Sequence, residues 1–129
     1  MTIDHTDRVL EPGATLVSLH WAKAPDVDLT GCKGANVNAI GAELPRGKFA
    51  NADLRGALLC HCDLRGADFT AADLTDANLH GSDCTGAIWT GAKLDRVMWD
   101  NCKARPIAAD AAEPWVPTEA PVAPRTIER

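Results

Sequence analysis

From Val17 to Pro106 the apolar positions recur every five residues, through 18 blocks without insertion or deletion. The first residue of each block is Ala, Val, Cys, Gly or Ser, and the third is Leu or Phe in 11 of the 18, including eight consecutive blocks from Leu44 to Leu79. The second is Asp or Asn in eight blocks, and Gly often closes the block. On extended backbone, residues two apart point to the same side. The first and third positions therefore face inward together, the second faces out, and the chain turns a corner before the pattern restarts. Composition fits a narrow interior. Alanine and leucine dominate, tyrosine is absent and there are two phenylalanines, so backbones must approach closely to fill the core.

Blocks such as Ala52-Asp53-Leu54-Arg55-Gly56 and Ala67-Asp68-Phe69-Thr70-Ala71 resemble those of the pentapeptide-repeat family. The resemblance covers residues 17–106 and is strongest over 42–96. It implies an all-β fold, a right-handed quadrilateral parallel β-helix (a solenoid) with four blocks per coil, here about four and a half coils. At the normal strand spacing of about 4.8 Å the tube is roughly 22 Å long, and stability adds coil by coil along its axis. Residues twenty apart then stack. Pro25 and Pro45 fall in one outward column, and Leu29, Phe49, Phe69 and Trp89 form one inward stack beside a column of Gly34, Leu54, Leu74 and Leu94. The expected organisation is an N-terminal cap or arm over 1–16, the β-helix over 17–106, and a Pro/Ala-rich extended tail over 107–129. Trp99 ends the tube as a plug or as a partner contact. Trp115, between Pro114 and Pro117, either folds back, hangs free or anchors a partner.

The net charge is −5. Residues 17–106 hold ten Lys/Arg and eleven Asp/Glu, so the tube is nearly neutral and no nucleic acid is expected to bind, since phosphate binding needs clustered cations. No stretch is apolar and long enough to span a bilayer. The N-terminal stretch is acidic without an apolar signal core, and five cysteines have no zinc or redox spacing. The expectation is a cytoplasmic location with reduced thiols.

Cys60, His61, Cys62, His80, Cys84 and Cys102 suggest a metal cluster, but the five-residue phase turns Cys62, Cys84 and Cys102 inward and the others outward. What survives is an outward column of His20, Ile40, Cys60, His80 and Asp100, in which Cys60, His80 and Asp100 could share a zinc ion; a solvated column is the reading preferred. No two cysteines lie twenty residues apart, which argues against disulfides. Phosphate loops, nucleophile elbows and metalloprotease motifs are missing, and the aspartates line a solvent face instead of a cleft. The chain is therefore expected to be no enzyme, with no catalytic residue, cofactor or metal.

The remaining chemistry is surface apolarity. Leu58 and Met98 at second positions and Ile40 and Cys60 at fourth positions replace polar residues on one face, and contiguous exposed apolar groups mark contact sites. With Trp99 and Trp115 these are the candidate partner-binding residues. The expected function is a non-catalytic protein–protein interaction or scaffold module, a small accessory subunit that stabilises or caps a larger assembly. The alternative is a DNA-mimicking regulator of DNA gyrase or another topoisomerase, which the resemblance suggests. A near-neutral tube argues against it, as does a proline-broken tail that cannot form a terminal helix.

Overall fold

A block of five residues can stack on its neighbours only if each of its backbone N–H groups finds an acceptor. The computed structural model, which describes residues 2–3, 9–104 and 106, accounts for all five. In the block 52–56, Asp53 donates to the Cys32 carbonyl of the coil before it at 2.9 Å, and Leu54 and Gly56 donate to Asp73 and Thr75 of the coil after it, each at 2.8 Å. The first-position N–H closes the corner, Ala52 to Phe49 at 3.0 Å and then Ala57 to Leu54 at 3.1 Å. The fourth, Arg55 N–H, donates to the carboxylate of Asp53 at 3.3 Å. Parallel bridges run at a spacing of twenty residues from Ser18 with Asn38 to Asp83 with Lys103. The result is the right-handed quadrilateral β-helix.

The corners explain the rest of the block. Every fifth-position residue from Trp21 to Asn101 has φ between 56° and 76°, and the turn bond links third-position C=O to the next first-position N–H. This is a type II turn, which wants φ > 0 at its third residue and tolerates proline at its second. Pro25 and Pro45 occupy that second place, and their blocks carry Lys23 and Glu43 in place of Asp or Asn. A proline has no N–H to satisfy, so the capping carboxylate is dispensable there.

Inside, Leu44, Leu54, Leu64, Leu74 and Leu79 are fully buried. Phe49 stacks on Phe69 with centroids 5.1 Å apart, and Phe69 stacks on Trp89 at 4.7 Å. Trp99 meets Trp89 edge to face at 5.5 Å and is buried. Ser82 replaces an inward alanine. Its hydroxyl donates to the Leu59 carbonyl and accepts from Cys62 N–H at 3.0 Å, so its burial leaves no unmet oxygen.

Both ends depart from the five-residue phase. At the start, β1 (Thr2–Ile3) pairs antiparallel with β2 (Val9–Leu10), and Leu10 is buried. Thr15 then bridges Lys33, eighteen residues away instead of twenty. This shorter path brings Leu16 against Gly34, where a Cβ would stand 3.3 Å from the Leu16 side chain and 3.1 Å from that of Leu54. The hole left by a core glycine is thus filled by leucines from two coils. Val17 crosses the corner and is 90% exposed, although the repeat phase places it inward. At the other end Ala104, also inward by phase, turns out with φ 59° and is exposed.

Two pairs of substitutions separate these effects in urea unfolding. Gly31 has φ +69° and open space for a Cβ, so Gly31→Ala costs about 1 kcal/mol through backbone conformation alone. Ala71, at φ 58°, gains about 0.5 kcal/mol on replacement by Gly once the unfolded-state entropy is subtracted. Leu16→Ala costs about 2–4 kcal/mol by opening a cavity over Gly34, whereas Val17→Ala stays within about 0.5 kcal/mol.

Candidate interaction surface

Three faces of the tube share one electrostatic design. Second-position aspartates accept from the fourth-position N–H, and a fourth-position Thr or Arg side chain returns a second bond. Asp68 with Thr70, Asp73 with Thr75 and Asp83 with Thr85 do this through the hydroxyl at 2.5–2.6 Å. Asp53 with Arg55 and Asp63 with Arg65 do it through the guanidinium, at 2.7 and 2.6 Å. Arg46 with Asp26 and Arg96 with Asp76 bridge successive coils at corners, both at 2.7 Å. Hydrogen bonding by Thr30 and Thr85 holds the Asp28 and Asp83 carboxyls below their ordinary range, and Arg55 and Arg65 do the same for Asp53 and Asp63.

The remaining face, made of the blocks that begin at 17, 37, 57, 77 and 97, has no aspartate cap; Ser18, Asn38 and Asn78 accept from the fourth-position N–H instead. Its outward positions read Ser18, Asn38, Leu58, Asn78, Met98 in the second column and His20, Ile40, Cys60, His80, Asp100 in the fourth. Asp100 is its one Asp, Glu, Lys or Arg. Leu58 is 38% exposed and Met98 47%; neither can accept from the N–H of Cys60 or Asp100, so both forgo the bond that Asn38 and Asn78 make to Ile40 and His80 at 3.1 and 2.9 Å. Along the corner, Trp21 lies over Gly41, so closely that a Cβ there would fall 2.2 Å from the indole. His61 covers Gly81 in the same way, at 2.6 Å from such a Cβ, and meets His80 edge to face at 5.2 Å. Trp21 remains 57% exposed. Of the five large hydrophobic residues exposed among the described ones, Val17, Trp21, Leu58 and Met98 belong to these blocks, and Ile88 lies on another face.

The structure therefore brings Ile40, Leu58, Cys60 and Met98 onto one face, with Ile40 and Cys60 half-buried. Trp99 shares the blocks but points into the core at 4% exposure, where it is the plug and offers no side-chain surface. Trp115 lies outside the described residues. Cys60 donates to the Asn78 carbonyl at 3.8 Å, and among the described residues no group of three His, Cys, Asp or Glu side chains could hold a metal ion; the zinc column of Cys60, His80 and Asp100 does not assemble. Sequence reading passed over Trp21 and His61. The signal for both was a large side chain at a fifth position twenty residues before a glycine.

Residues 48–83 and 72–98 match the family described as pentapeptide repeats, in eight copies, within the phase that the corners and ladders confirm. The chain carries pentapeptide repeats over residues 48–98. Its solved relatives include the pentapeptide repeat protein Rfr23 from the cyanobacterium Cyanothece 51142, at 27% identity and a TM-score of 0.65 over 67% of this chain and 58% of that one. A pentapeptide repeat protein of the Arabidopsis thaliana thylakoid lumen matches at 24% identity and a TM-score of 0.30, over 64% and 60%. HetL, a pentapeptide repeat protein involved in heterocyst differentiation regulation in Nostoc, matches at 22% and 0.37, over 70% and 57%. The chain spans less than two thirds of each of these relatives. A comparison with curated proteins gave no match.

The capping carboxylates of the tube tie its stability to pH. Their folded-state pKa values lie below the unfolded value of about 3.9, so their contribution is complete above that value and is lost as pH falls through the folded ones. The melting temperature should fall as pH drops from about 5 toward about 2, and Asp63→Asn, which keeps an acceptor without the charge, should flatten that dependence.

Proposed function

We propose that the chain is a non-catalytic protein–protein interaction module that works in the cytoplasm as a small accessory subunit, stabilising or capping a larger assembly through its uncharged face. One observation carries the reading. On the face that carries a single charged residue, Leu58 and Met98 take second positions at which Asn38 and Asn78 cap the corner, give up that hydrogen bond and stand exposed. A solitary tube gains nothing from either exchange, because an intramolecular hydrogen bond contributes about 0.5–1.5 kcal/mol and exposed apolar side chains contribute no burial. A partner that covers them recovers it. Five stacked blocks span four spacings, about 19 Å, the length of a helix of about 13 residues, so a single element of the partner suffices to cover it. Filled packing along the tube and the protonated thiols of Cys32 and Cys62 support the non-catalytic part. Burial pushes Cys32 and Cys62 up to about 12, far from the thiolate that reactivity requires.

The test exploits the same trade. Leu58→Asn and Met98→Asn restore the residue type of Asn38 and Asn78, so each should leave the tube as stable or raise its stability by about 0.5–1.5 kcal/mol. Capture of the partner by the tagged protein from its native cell should nonetheless weaken about tenfold, or about 1.4 kcal/mol. Undiminished capture by both variants would remove the face from the proposal. Loss of capture on deleting residues 107–129 alone would move the contact to the tail, and recovery of DNA gyrase would favour the topoisomerase-regulating reading.

A further inference from the structure

The last coil brings two thiols together that the twenty-residue rule keeps apart. Cys84 stands at the third position of its block and Cys102 at the first position of the block one coil later, eighteen residues on. Ala104 is the residue that the phase would stack over Cys84, but it turns outward with φ 59° and leaves that space open. Cys102 leans into it, and its thiol donates to the Cys84 sulfur at 3.7 Å. Cys84 is buried and Cys102 half-buried, so one sulfur is reachable from solvent and the other is held behind it. Both are free.

We propose that Cys84 and Cys102 form an oxidant-responsive disulfide site that clasps the final coil to the one before it. The ligand class is a small-molecule disulfide, with oxidised glutathione as the probe. The Cys102 thiolate attacks one sulfur of oxidised glutathione, the glutathione S–S bond breaks, and one glutathione thiolate leaves. Cys84 then loses its proton to solvent and attacks the Cys102 sulfur, expelling the second glutathione. Two protein thiols become one disulfide, and one glutathione disulfide becomes two thiols.

Geometry sets the character of this bond. The sulfurs must close from 3.7 Å to about 2.0 Å. Diagonal neighbours on adjacent strands have Cα atoms about 7–8 Å apart, beyond what a disulfide spans without backbone movement, so the strand carrying Cys102 must move inward. It lies in the last described coil, where movement meets least resistance. Burial of Cys84 and its contact with Cys102 push its thiol up, so the second step is slow and reaction begins on Cys102. A bond formed with such movement is readily reduced again.

The other cysteines lack this arrangement. The thiols of Cys60 and Cys62 donate to backbone carbonyls, and Cys32 is buried by itself in the first complete coil.

The full-length protein is incubated natively with oxidised glutathione, alkylated, digested with trypsin and mapped without reductant. The expected product is a linked pair of the fragments 66–93 and 97–103, which carry Cys84 and Cys102, split by added thiol. Free thiols per chain fall from five by two. Cys102→Ser, at a half-buried position where folding tolerates it, and Cys84→Ala, which keeps the core apolar, each abolish the linked pair while circular dichroism stays that of the parent. Three results would overturn the site: glutathione that remains on Cys102 with Cys84 still free, oxidation within fragment 56–65 in place of the linked pair, or five free thiols under conditions where Cys102 is readily alkylated.

Discussion

The structure depends on the hydrogen-bond ladder between coils. Each block donates three backbone N–H groups across coils and one around its own corner, which leaves the fourth-position N–H as the only donor that the backbone itself does not serve. The Asp or Asn of the second position is the answer to that remainder. Everything else about the block follows from the ladder's geometry. Coils about 4.8 Å apart leave room for one large inward side chain per face, so the third position is mostly leucine or phenylalanine and the first is alanine, valine, cysteine, glycine or serine.

Seen against that requirement, substitutions in the second column divide into two kinds. Lys23 and Glu43 replace the capping residue where a proline has already removed the donor, and they are structurally neutral. Lys33, Lys48, Ile88 and Lys93 replace it where the donor is still present, and so do Leu58 and Met98. Leu58 and Met98 lie on the face whose blocks carry one charged residue, Asp100, and also hold Trp21 and the histidine pair His61 and His80. An uncapped amide under an exposed apolar side chain is a local conflict, and such conflicts concentrate where a surface serves something other than its own fold.

Sulfur behaves differently at different heights in the tube. In the middle, Cys62 packs as a small hydrophobe whose thiol donates to the Ala39 carbonyl at 2.9 Å. Near the end, where Ala104 leaves the phase, Cys84 and Cys102 come into contact. The inward columns are the same; what differs is that Ala104 leaves its place above Cys84.

The sequence determined the five-residue phase of all the corners between Trp21 and Asn101 and, with the four blocks per coil that the resemblance to pentapeptide repeats implies, the fold and the aromatic stack from Phe49 to Trp89. A strict five-residue period puts every first and third position on the inward side. It also showed that Ile40, Leu58, Cys60 and Met98 share a face, because columns follow from arithmetic on residue numbers. Only the tertiary structure decided the ends and the contacts across corners. Val17 faces outward and Leu16 fills the space at Gly34 because the first coil takes a path two residues shorter. Trp21 and His61 lie over glycines, and Cys102 reaches Cys84, through side chains that lean across coils. A periodic pattern specifies stacking where the chain keeps its phase; where the chain leaves it, packing of individual side chains sets the geometry.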